Sequence, residues 1–200
     1  MPRSHDFWPF LFHETYPVNS AGGGLGAYLR RFFRETSSTM KIFQVERHAD
    51  LPFTEQYVLW GLRLWSLGNR TGSNMMPKIH EGFLRGGAPH AARSLTRIMD
   101  ILASSGHRPP QMNCACLDTV SDDENLILNS VAQCQIENSE ILRFWLDDLA
   151  PPAIVSLLLP FLEEFANDLT EGGIFMSRER IYVGAGLMVY ASSKQQPADI

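Results

Sequence analysis

The sequence predicts a mainly α protein, a bundle of about five helices around a buried central helix at residues 53–67. Three observations carry this expectation. Read at helical spacing, Phe53 to Leu67 is apolar in almost every direction, and its one polar strip is Gln56, Arg63 and Ser66, continued by Arg70. A helix apolar on nearly all sides is normally buried among others. The run falls short of the roughly 20 residues a membrane span needs, and Arg63 interrupts it. Four stretches further along repeat apolar residues at helical spacing, each with its own start or stop signal.

The N-terminal residues 1–26 read as an extended arm. Phe7, Trp8, Phe10 and Phe12 crowd into it, while Pro9 and Pro17 prevent a regular helix. Such an aromatic cluster fits a groove, either within this chain or on a partner. Gly22-Gly23-Gly24-Leu25-Gly26 is a joint, and a single helical domain is expected over 27–193, beginning with a short basic-edged helix at 27–34. Residues 194–200 read as a flexible tail.

Lys41 to Val45 alternates like a short strand and leads into Arg47-His48. A strand followed by Arg-His resembles the opening of the histidine phosphatases. That family needs a second catalytic histidine late in the chain, and none follows His107 here.

The central helix is expected to stop at Gly68. Met75 to Gly87 is ambiguous, one helical turn or two broken by Gly82, Gly86 and Gly87. Pro89 opens a second helix with the stripe Ala92, Leu95, Ile98, Met99 and Leu102, ending at Gly106. A loop then runs from His107 through Cys114 and Cys116. Ser121 and Glu124 have the spacing of a capping box, in which hydroxyl and carboxylate each answer an otherwise unpaired amide. The helix behind it carries Ile127, Val131 and Cys134 on one stripe. Asn138 or Ser139 caps a fourth, facing inward with Leu142, Trp145, Leu146 and Leu149. Pro151-Pro152 opens a fifth, with Ile154, Leu158, Phe161, Leu162, Phe165 and Leu169 in line, a kink expected at Pro160, and Gly172-Gly173 beyond its end. In residues 180–190 the β-branched and aromatic side chains favour a strand, while the glycines weaken either assignment. The pattern allows a small β element in which 41–47 pairs with 180–190.

From the central helix to Gly173, this order of two helices, a Pro/Cys-rich loop and a helix opened by Ser121-x-x-Glu124 resembles a group of uncharacterised bacterial helical proteins. The resemblance covers a little over half the chain and implies a helical fold without implying an activity.

The 200 residues are 44% hydrophobic and 20% charged, ordinary for a folded globular protein. The net charge of −5 is unevenly spread. Residues 1–117 hold 13 Lys and Arg against 8 Asp and Glu, whereas residues 118–171 hold Arg143 against 12 acids. Either the two halves neutralise each other in the fold or an oppositely charged partner is drawn in. An acidic total disfavours nucleic acid as a partner. With three cysteines and no export-signal pattern, the expected compartment is the cytoplasm.

Chemistry gathers best at Cys114-x-Cys116, placed just ahead of a capped helix. A helix N-terminus favours thiolate, which serves as nucleophile or metal ligand. Cys114 and Cys116 are therefore the catalytic thiol candidates. With His107 they form a candidate metal set, for which zinc is the fitting ion, although no cofactor is otherwise expected. Cys134 does not join them, since it lies about 20 Å down the helix from Ser121 at 1.5 Å per residue. The four residues between Cys116 and Ser121 span only about 13–14 Å when extended. The pairs Glu163-Glu164 and Asp147-Asp148 each point two ways on a helix, and His80, Glu81 and His90 complete no catalytic motif. The first functional expectation is a non-enzymatic protein-binding or self-assembling module using Phe7, Trp8, Phe10 and Phe12. The alternative is a small helical metal-binding or thiol redox protein using the Cys114/Cys116 loop.

Overall fold

The computed structural model describes residues 43–181. The aromatic arm with Phe7, Trp8, Phe10 and Phe12, the glycine joint, the helix at 27–34, both expected domain boundaries and the tail lie outside the described residues. The expected helical bundle is observed. Its helices are α1 (Phe53–Thr71), α2 (Met76–Arg85), α3 (Ala91–Ser105), α4 (Asp122–Gln135), the short α5 (Leu142–Trp145) and α6 (Pro152–Glu171), with 3-10 turns at His48–Asp50, Ser139–Ile141 and Leu146–Asp148.

α1 runs past Gly68 and ends at Gly72, whose φ of 67° is the left-handed conformation glycine adopts without strain. Met75 to Gly87 resolves into the single helix α2, which continues through Gly82. The fourth expected helix is fragmented, with α5 flanked by 3-10 turns and no side-chain cap from Asn138 or Ile141. α6 is assigned as one continuous helix through Pro160.

α3 and α6 form the most extensive helix pairing, followed by α4 with α6. The expected stripe of α3 is buried from Ala92 to Leu102, as are Leu158, Leu162, Phe165 and Leu169 of α6. Phe83 of α2 meets Tyr57 and Phe165 edge-on, at ring-centre distances of 5.2 and 6.0 Å. Glycines allow α1 and α2 to close on one another. A Cβ on Gly82 would run into the Trp60 ring, and one on Gly86 into the Tyr57 hydroxyl.

Burial sorts α1 differently from its hydropathy. Its inward face holds Glu55, Arg63 and Ser66 beside Val58, Leu59 and Leu62, while Trp60, Leu64 and Trp65 are half-buried and Phe53 is 78% exposed. The polar residues turn inward because they have buried partners. α4 is buried throughout from Asp123 to Cys134 despite six polar residues in that span: Asp123, Glu124, Asn125, Asn129, Ser130 and Gln133.

Asn125, Asn129 and Gln133 recur at four-residue spacing and so share one face. Asn125 accepts from the Val45 N–H (3.1 Å) and donates to the Val45 carbonyl (3.0 Å). Asn129 donates to the Phe43 carbonyl and Gln133 to that of Arg180. This amide row takes the place of the expected β element. Phe43 to Val45 has no regular secondary structure, because side-chain amides rather than a strand satisfy its backbone. Arg47 forms an isolated antiparallel bridge with Thr119. Arg180 and Ile181 belong to a helical turn at 178–181, closed by the Ile181 N–H donating to Ser177. Residues 41–42 and 182–190 lie outside the described residues.

Arg180 is fully buried, with Nε 2.8 Å from Glu55 and Nη2 donating to Asn125. Burial pulls its guanidinium below the ordinary arginine value and Glu55 opposes that pull. Among the described residues no helix is long and apolar enough to cross a membrane.

Candidate functional site: the Cys114–Cys116 loop

The loop between α3 and α4 is irregular, yet buried charges hold it from beneath. Pro109 and Pro110 keep its first half out of a helix. The first turn of α4 then supplies two carboxylates. Asp123 takes both ends of the Arg108 guanidinium, at 2.5 and 2.8 Å, and the Gln111 N–H at 2.6 Å. Glu124 closes the expected capping box with Ser121 and also accepts from the Asn113 N–H at 2.9 Å.

Arg63 reaches this assembly from α1. Its guanidinium is 2% exposed and binds the fully buried Glu124 through Nε and Nη2, at 2.8 and 3.0 Å. Its remaining donors reach out to the loop backbone, the carbonyls of Leu117 (2.8 Å), Thr119 (2.7 Å) and Cys114 (3.4 Å). One guanidinium therefore joins the helix core to the loop that carries the thiols. A tight turn follows, the Leu117 N–H donating to the Cys114 carbonyl at 2.9 Å.

On that turn the Cys116 thiol donates to the Cys114 sulfur at 2.8 Å, with Cys116 exposed and Cys114 partly so. This bond, followed by the Cys116 backbone N–H and the positive charges of Arg70 and Arg63, brings the Cys114 thiol below its ordinary value of 9.0. Donating that same bond raises Cys116 above it. The pair thus divides into a sulfur that favours thiolate and a neighbour that keeps its proton. Capping occupies the Glu124 amide at the first turn of α4, and carboxylates at 122–124 stand there.

The remaining candidates are scattered. His107 is exposed and its backbone N–H donates to Leu149. It does not join the cysteines, and among the described residues no group of three or more His, Cys, Asp or Glu is placed to hold a metal ion. Cys134 is 5% exposed, and burial pushes its thiol up to about 12. His80 is exposed and Glu81 pairs with Arg85 on the surface. His48 sits on a 3-10 turn, unlike the strand exit of the phosphatases it resembles. Burial raises the Asp168 carboxyl against the opposing bond from Ser94 Oγ.

Sequence reasoning found the thiols and the capping box but not Arg63 or Arg70. The available signal was their place on the one polar strip of an otherwise apolar helix, at the seven-residue spacing that aligns two turns. No family model, curated protein or solved structure matches this chain.

Proposed function

We propose that this chain is a small helical dithiol protein that exchanges electrons with an external disulfide through Cys114 and Cys116. The observation that carries this reading is the 2.8 Å approach of two accessible sulfurs on a turn fixed from below by a buried guanidinium. In the exchange, the Cys114 thiolate attacks one sulfur of the substrate disulfide. The new S–S bond forms as the old one breaks, and the distal sulfur leaves as a thiolate. Cys116 then releases its proton to solvent and attacks Cys114. The second substrate thiolate departs and an intraloop disulfide remains. Two electrons pass from the pair to the substrate, and the reverse sequence oxidises a dithiol. Cys114 is the attacking sulfur because its thiolate is favoured, and Cys116 is the resolving one.

Zinc fits the loop less well. A tetrahedral ion on the two thiolates would need two further ligands, and among the described residues no third His, Cys, Asp or Glu stands with them. The deciding experiment is intact-mass and peptide mapping after equilibration in a graded glutathione buffer. The expected result is an intraloop disulfide that reverses with the buffer ratio. Cys116→Ser should stop at a mixed disulfide on Cys114. Both sulfurs remaining reduced across the whole range, or glutathione lodging equally on either cysteine, would refute the reading.

Protein binding or self-association is a second reading. Phe53 favours it, 78% exposed with its ring 6.4 Å from that of Tyr57. Exposed aromatic clusters of this kind mark contact surfaces. Deleting residues 1–20, or replacing Phe53 with Ser, should change the mass seen by light scattering after size exclusion. An unchanged mass in both removes self-association.

A further inference from the structure

The charges around the thiol pair are unevenly satisfied. Asp118 is held by Arg47 at 3.3 Å, Asp123 by Arg108, and Glu124 by Arg63. Three of the four carboxylates close to the loop in sequence thus have their own arginine, while Asp122 accepts from the Gln44 amide. Arg70 does not have a carboxylate in return. It lies two helical turns beyond Arg63 on the same side of α1, the side on which Arg63 grips the carbonyls of Cys114 and Leu117. Its side chain is exposed and, among the described residues, its guanidinium makes no ion pair or hydrogen bond. A free guanidinium on the face of α1 that meets the thiol loop is a ready partner for a carboxylate, which it binds through a planar fork.

We propose that Arg70 selects the partner of Cys114, and that this partner is a thiol or disulfide carrying a carboxylate near its sulfur. The inference rests on the dithiol reading and adds its substrate class. Arg70 acts in two separable ways. As a nearby positive charge it favours the thiolate, which speeds attack on any disulfide. As a binding group it attracts an anionic disulfide alone.

The test compares two chromophoric probes on the full chain, dithiobis(nitrobenzoate), a dianion, and dithiodipyridine, which is neutral at pH 7. The quantity read is the ratio of their initial rates, because a change in thiolate population largely cancels in it. Arg70→Gln should lower the ratio about threefold and Arg70→Glu about tenfold, the scale of an exposed charge pair. Arg70→Lys should keep most of it. Raising the salt should lower the wild-type ratio and leave that of Arg70→Gln nearly unchanged. Equal slowing of both probes in Arg70→Gln and Arg70→Glu would overturn the proposal, leaving Arg70 a modulator of the thiol alone. Failure of the wild-type chain to react with either probe at Cys114 would remove the dithiol reading itself, and the selectivity with it.

Discussion

The Arg63–Glu124 pair makes a quantitative demand on the fold. Glu124 is fully buried and accepts from Arg63 Nε and Nη2 and from the N–H groups of Asn113 and Ser121, all at 2.8–3.0 Å. Glu124→Gln preserves size but removes the charge, and its single carbonyl oxygen cannot serve all of these donors. Arg63 then remains buried and charged, because a guanidinium does not give up its proton in a protein. Leaving one member of a buried pair uncompensated costs about 3–5 kcal/mol, and weakening the cap adds up to about 1 kcal/mol. Set against a total stability of about 5–15 kcal/mol, this lowers Tm by about 6–24 °C at 2–4 °C per kcal/mol. The assay is urea denaturation at pH 7 of wild type, Arg63→Met, Glu124→Gln and the double variant. Once Glu124 is gone, removing the orphaned charge relieves part of the penalty. The double variant should therefore be more stable than the sum of the singles predicts, with a coupling of about 2 kcal/mol. A cost below about 1 kcal/mol for Glu124→Gln, or strict additivity, would refute the account of Arg63 as the tie between helix core and loop.

Three further outcomes follow from the same geometry. The Cys134 thiol, raised from 9.0 to about 12 by burial, keeps its proton in the folded chain after the unfolded chain has lost it. Its contribution to stability is complete below pH 9 and falls by about 1.4 kcal/mol per pH unit up to about pH 12; Cys134→Ala should flatten this alkaline slope in urea titrations from pH 8 to 11, and an unchanged slope would contradict it. Gly82→Ala should gain about 1 kcal/mol on helix propensity, yet the added methyl meets the Trp60 ring. Overpacking at about 1–3 kcal/mol makes net destabilisation the expected result, and a raised Tm would mean that Trp60 swings aside freely. Asn125→Leu should cost about 2–4 kcal/mol by stranding both backbone groups of Val45 and a donor of Arg180. Hydrogen exchange at the Val45 amide should quicken with it, and unchanged protection there would show that the amide row does not hold this segment.

Elements governed by local rules were legible in the sequence. The Ser121–Glu124 box and the α3 stripe need only short-range patterns, and both stand where expected. Hydropathy failed where polar side chains find partners far along the chain. Arg63 and Ser66 form the polar strip of α1, yet Arg63 is buried because Glu124, 61 residues on, neutralises it. Glu55 is buried by Arg180, 125 residues away, and no window of periodicity spans such a distance. The charge division of the sequence has the same root. Arg47, Arg63 and Arg108 of the basic part pair with Asp118, Glu124 and Asp123 of the acidic part, on the surface for Arg47 and in the interior for Arg63. Gly68 lies inside α1, and the helix ends instead at Gly72, whose φ of 67° is in the left-handed region. The thiol pair was visible as a motif. The tie of its backbone to the helix core was not, since Arg63 reaches the loop from another element.

Stability and thiol chemistry meet at the Leu117 and Cys114 carbonyls, which Arg63 binds from inside. If the fold holds the sulfurs 2.8 Å apart, forming their disulfide requires less ordering in the folded chain than in the unfolded one. By linkage the fold must then be more stable oxidised than reduced, by the amount that folding lowers the reduction potential of the pair. For this two-electron couple each 30 mV between the folded and the urea-unfolded chain corresponds to about 1.4 kcal/mol. Two independent measurements must therefore agree. One is the shift in urea midpoint on oxidation, reversed by a dithiol reductant; the other is the difference between potentials measured with and without urea. Arg63→Lys, which keeps the charge opposite Glu124 but loses the fork, should shrink both together. Equal potentials in the folded and unfolded chain would mean that the turn does not preorganise the sulfurs, and would sever the link between the buried pair and the thiols.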